Sequence, residues 1–218
     1  MKGKLISVIV LLGTVFARAD LAHSHPDAES ISLTVSVFND ARVPTGVLSV
    51  AQDRAVFIMR RAGIRLEWLD CGSPGKRPPN SGCAAISFPQ HLSVRLIRQT
   101  SLASEDNFGQ SFQDADGAGS YAIVYFRTLE SSQAATMVTP GELLGHVVAH
   151  ELGHLLLGLN SHSPGGLMLG SWRAPELRQA AHGNLLFTNE QAERIRSRYL
   201  TASARRRTSE APPTSSGH

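Results

Sequence analysis

From Thr139 to Gly158 the chain reads TPGELLGHVVAHELGHLLLG, a helix start, an apolar body and a helix stop in succession. Thr139 suits an N-cap, Pro140 suits the first helical position because its missing N–H would have no partner there, and Glu142 completes a capping box. Leu143, Leu144, Val147, Val148, Leu152, Leu155 and Leu156 spread over more than one face. Such a helix has to be buried in a core and not laid on a surface, so the few polar side chains it carries are informative.

His150 and His154 stand four residues apart, one turn on a single face, and can hold one ion from the same side. Glu151 cannot share their direction, yet from that offset it reaches a water on the ion and can act as its general base. Two neutral imidazoles with one further ligand leave an open fourth position, which makes one catalytic Zn2+ the expected cofactor. His146 shares the face at i, i+4, i+8, but eight residues rise about 12 Å, too far for one ion to be shared with His154. Its expected role is packing or support. The third ligand then has to come from beyond the helix, after a turn.

The first 19 residues have the form of a secretory signal: Lys2 and Lys4, an apolar run from Leu5 to Phe16, and the small-x-small sequence Ala17-Arg18-Ala19. The run is too short to span a bilayer core of about 30 Å, so no stable membrane anchor is expected after cleavage, and the protein should be secreted or periplasmic. Cleavage after Ala19 leaves 18 basic residues against 18 acidic ones. The sequence pI of about 9.2 is thus poor grounds for a nucleic-acid partner, and none is expected. Residues 20–30, with His23 and His25, read as a flexible N-terminus, and 201–218, with Arg205, Arg206, Arg207 and a Pro/Ser-rich end, as a disordered tail. Cys71 and Cys83 are the two cysteines. In an oxidising compartment they should form a disulfide across a Gly/Pro/Ser-rich loop, since their spacing lacks the short form of a zinc pair.

Residues 31–200 form one domain of α+β class. Ile31 to Phe38 alternates with period two, as a half-buried strand does. Thr45 caps a helix to about Ala62, stopped by Gly63, and strands follow at 64–69, 92–97 and 121–126, the last apolar on both faces. The stretch between the last two is a long surface excursion with a short hairpin around Phe108 and Phe112. Its Asp114-Ala115-Asp116-Gly117 reads as a plain turn, because the later ligands of a calcium loop are missing. Thr188 to Gln191 forms a second capping box, opening a helix to about Tyr199 with Ala192, Ile195 and Tyr199 as its packing stripe.

The segment HELGHLLLGLNSHSPGGLM, His150 to Met168, resembles the active-site segment of the metzincin clan, most closely its matrixin-like branch. That clan's motif is HExxHxxGxxH. Here the positions of its glycine and third histidine hold Leu157 and Asn160, while Gly158 and His162 are displaced by one and two residues. The resemblance implies a zincin domain, with a mixed twisted sheet packed on the active-site helix and a C-terminal helix. It further implies His162 as third zinc ligand, Gly158 as the bend, and Met168 beneath the metal, though Met168 reads equally as core filler. Asn160, or a downstream Glu176, Glu190 or Glu193 in a gluzincin-like arrangement, remain the other candidates for the ligand. Trp172 and Pro175 continue a loop on the substrate side, and an edge strand that pairs with extended substrate is expected within 105–126. The function implied is peptide-bond hydrolysis, with protein or peptide as substrate. A zinc-binding interaction protein without turnover and a zinc hydrolase of a non-peptide amide bond are the alternatives.

Overall fold

The computed structural model describes residues 31–72, 81–98, 108–132 and 138–210. The signal at 1–19, the stretch 20–30, part of the cysteine loop and the end of the tail lie outside the described residues. Five strands make one mixed sheet: β1 (Ile31–Asn39), β2 (Ile64–Asp70), β3 (His91–Ile97), β4 (Gly109–Phe112) and β5 (Tyr121–Tyr125), in the order β2-β1-β3-β5-β4. All neighbours run parallel except β4, which lies antiparallel to β5 at the edge. The period-two pattern of β1 has the expected result. Ile31, Leu33, Val35 and Val37 are buried on the face that also carries Leu92, Val94, Leu96, Ala122 and Val124. On its other face Ser36 is buried too, its Oγ 2.7 Å from His91 Nε2.

Two helices cover the apolar face. Helix α1 (Thr45–Arg61) begins at Thr45 itself, and Pro44 takes the cap position with no side-chain bond, so the expected Thr45 cap is corrected. The turn is held instead by Asn39, whose Oδ1 accepts from Val43 N at 2.8 Å and whose Nδ2 donates to Val43 O at 2.9 Å. After Ala62, Gly63 adopts φ 83°, a left-handed stop that a side chain would strain. The second helix, α3 (Pro140–Leu157), packs against α1 at backbone distance: a Cβ on Gly145 would lie 2.6 Å from Ala51 O. Thr139 Oγ1 accepts from Glu142 N at 3.2 Å as expected. The Glu142 carboxylate does not complete the box, because Arg54 on α1 takes it at 2.5 Å.

Three helical elements differ from the sequence reading. β5 ends at Tyr125 and the chain continues into a short helix, α2 (Phe126–Ser132), that was not anticipated. The region around Pro175 is not loop alone: Pro sits in the first turn of α4 (Ala174–Ala181), and Glu176 Oε2 accepts from Arg173 N at 2.9 Å. The last helix, α5 (Asn189–Glu210), opens on the expected box, with Gln191 N bonded to Thr188 Oγ1 at 3.2 Å and Thr188 N to Gln191 Oε1 at 2.9 Å. It runs past Tyr199, so Arg205, Arg206 and Arg207 stand on a helix where a disordered tail was expected. The physical reason is an anchor beyond the expected stripe. Ser203 is buried and accepts from Gln90 Nε2 at 3.0 Å. Cys71 and Cys83 form the disulfide, with Cα atoms 5.7 Å apart. The Asp114 turn is a plain Asx turn, its Oδ1 accepting from Asp116 N at 3.0 Å and Ala118 N at 2.9 Å. Among the described residues no helix is long and apolar enough to cross a membrane.

Candidate metal centre

Helix α3 stops where its backbone enters the left-handed region. Gly158 has φ 86° and bonds its N–H to His154 O at 3.0 Å. Asn160 follows with φ 54°, a conformation that Asn tolerates. These two bends turn the chain back over the helix, and the result is a cluster: one nitrogen each from His150, His154 and His162, all within 4.8 Å of one another. The displaced spacing of Gly158 and His162 is thus absorbed by a longer link with a second bend. Asn160 itself is exposed in the turn. Glu176 serves the start of α4, and Glu190 and Glu193 are exposed on α5.

The orientation of the rings fits a cation. His150 Nδ1 donates to Leu167 O at 2.7 Å, and His154 Nδ1 lies 2.6 Å from Ser161 Oγ. The carbonyl can only accept, so His150 carries its proton on Nδ1 and its Nε2 lone pair faces His154 Nε2, 3.0 Å away. A cation between the two nitrogens would be held by both once His154 also carries its proton on Nδ1, with Ser161 Oγ accepting. Burial also keeps the rings neutral: it pushes His150 down to about 4, against the bond to Leu167, and His154 down to about 3. Neutral imidazole is the form that binds a metal. Three histidines with an open side are the donor set of a catalytic zinc.

Glu151 projects to the side of the cluster and is 4% exposed. Burial pushes its carboxyl up to about 8, while a hydrogen bond from Ser111 acts the other way. Its neighbours come from the edge strand. Gly109 approaches so closely that any Cβ would meet the carboxylate, and Gln113 Nε2 donates to His154 O. Residues 109, 111 and 113 therefore hold the edge of the sheet against the helix as a period-two row. The edge strand expected within 105–126 is β4, and the contacts of these residues with the helix are not legible in the sequence.

Beneath α3 runs Met168, fully buried; a Cβ on Gly153 would lie 2.5 Å from its Sδ. Met168 thus passes under the turn of helix between His150 and His154. Its loop is pinned to α5 by Gln191 Nε2, which donates to Ser163 Oγ at 2.6 Å and to Gly165 O at 2.8 Å. His146 is not part of the cluster. It is fully buried, with Nδ1 donating to Glu142 O at 2.7 Å, in keeping with a packing role. The histidines and Glu151 open into a cleft of about 630 Å³, whose walls include Phe108, Val147, Leu169 and Trp172. The Trp172 ring stands at 89° to that of His150, with centroids 5.3 Å apart.

No family model and no curated relative matches the sequence. Solved structures do resemble it. Archaemetzincin from Methanopyrus kandleri aligns at 18% identity with a TM-score of 0.50, covering 80% of this chain and 98% of that one. Metalloproteinase-II from Bacteroides fragilis aligns at 13% identity with a TM-score of 0.49, covering 78% of this chain and 54% of that one. The chain has a zincin-like α+β fold.

Proposed function

We propose that this protein is an exported zinc-dependent endopeptidase, a divergent relative of the metzincins, with His150, His154 and His162 as ligands of one zinc ion and Glu151 as general base. The observation that carries the reading is the position of Glu151. A site that only stabilises a fold has no use for a carboxylate beside its ligands and closes the fourth position with protein; this one keeps a carboxylate and faces a cleft. Archaemetzincin's fold and the three-histidine cluster support the metal. The disulfide is compatible with export.

A zinc ion held by the three imidazoles supplies Lewis acidity toward the scissile carbonyl and the attacking water. The chain's own groups do the rest. Glu151 takes a proton from that water and returns it to the leaving amine. An extended peptide lies along β4, the last strand of the sheet order. Phe108, Val147, Leu169 and Trp172 form part of the walls of the cleft it would enter.

The test is Glu151→Gln, assayed for zinc content and for hydrolysis of an unstructured protein beside amide-linked cell-wall fragments. The variant should keep its zinc and lose hydrolysis of the protein. Unchanged proteolysis would remove the mechanism. Cleavage of the cell-wall amides alone, by the unmutated chain, would make this a hydrolase of another bond.

A further inference from the structure

We propose that Ser161 is a positioning residue of the metal centre, fixing the tautomer and ring plane of His154; the inference rests on the zinc reading above. Ser161 is 3% exposed, and its Oγ lies 2.6 Å from His154 Nδ1. To bind a metal through Nε2, His154 has to carry its proton on Nδ1, and Ser161 Oγ is the acceptor placed for it; Nε2 then faces the point that His150 Nε2 also faces, 3.0 Å away. Outer contacts of this kind fix which nitrogen binds and raise its basicity. For His150 the same task falls to the backbone carbonyl of Leu167, which no substitution removes. For His154 it falls to a side chain.

The hydroxyl also has a second consequence. Ser161 precedes His162 directly and follows the left-handed Asn160, at φ 54°. Its bond to His154 therefore fastens the returning segment to α3 one residue before the third imidazole. One contact orients one ligand and sets the approach of the next. The additional residues between the helix and His162 are what bring a hydroxyl to this point.

The experiment compares the unmutated full-length chain with Ser161→Ala, Ser161→Val and Ser161→Thr. Val and Thr are nearly equal in shape, so the pair separates the hydroxyl from its volume. Zinc affinity is measured by competition with a chromophoric chelator, the visible spectrum is recorded after cobalt substitution, and folding is followed by circular dichroism. Ala and Val should weaken zinc binding by about 10- to 100-fold and shift the cobalt bands, while Thr restores both. Equal affinity in all four proteins overturns the role of Ser161 and leaves the zinc reading standing. Equal weakening by Thr and Val assigns the effect to packing and overturns it also, as does failure of Ala to fold. Absence of zinc binding in the unmutated chain overturns this inference together with the reading beneath it.

Discussion

Gly109 on β4 lies so close to Glu151 on α3 that a Cβ on the glycine would stand 2.6 Å from Oε1 and 2.9 Å from Cδ. The carboxylate proposed as general base is therefore seated against the bare backbone of the strand proposed to pair with substrate. Gly109→Ala has to push the carboxylate aside, since the three atoms nearest the added Cβ all belong to Glu151. The expected outcome is a fall in kcat on the order of 100-fold, the scale of a displacement near 1 Å, with stoichiometric zinc retained. Parallel measurement of kcat, KM and zinc content checks it. A variant as fast as the parent would show that Glu151 is not held by this contact.

The proposed third ligand and the turn residue before it have different tasks. His162 contributes a nitrogen to the cluster, whereas Asn160 supplies a left-handed turn at φ 54°. Asn160→Gly keeps that conformation available and should leave zinc stoichiometry unchanged. His162→Ala should lose tight zinc during purification. Metal analysis of the two proteins decides the matter, and stoichiometric zinc in His162→Ala would move the ligand to Asn160 or to a distant carboxylate.

What could be seen in the sequence depended on whether the cause was local. The caps at Thr139 and Thr188, the alternation of β1 and the i, i+4 pair His150 and His154 are short-range effects, and each is found in the fold. Glu142 shows where this stops: its place in the box was legible, but the competing Arg54 lies 88 residues away. β4 was obscure for the same reason. GQSF carries little apolar signal, and its alternation is recognisable only once Gly109 and Ser111 rest on Glu151. The run SHS around Ser161 has the composition of a surface turn, and only the double bend at Gly158 and Asn160 brings its hydroxyl inside. For α4, a proline and few apolar residues suggested a loop; Leu177 and Ala180 are the side chains that tie it down.

His146 gives a prediction about stability that does not depend on the reaction. It is fully buried on α3, Arg54 of α1 and Glu142 are the charges around it, and its Nε2 has no hydrogen-bond partner among the described residues. Burial pushes its pKa down to about 4, with the backbone bond to Glu142 opposing and Arg54 assisting. In the unfolded chain a histidine titrates near 6.5. Between those values the unfolded chain binds a proton that the folded chain refuses. The contribution is therefore intact above about pH 6.5 and is lost as pH falls toward 4. At about 1.4 kcal/mol per pH unit between 6.5 and about 4, the loss reaches about 3.5 kcal/mol at most. His146→Leu removes the titrating group, while the Glu142 carbonyl stays within the helix ladder. Urea unfolding at pH 7 and pH 4.5 should show the unmutated protein losing more stability than the variant, by on the order of 1–3 kcal/mol. Since His150 and His154 titrate alike in both proteins, equal losses would mean that His146 gains a proton as readily folded as unfolded.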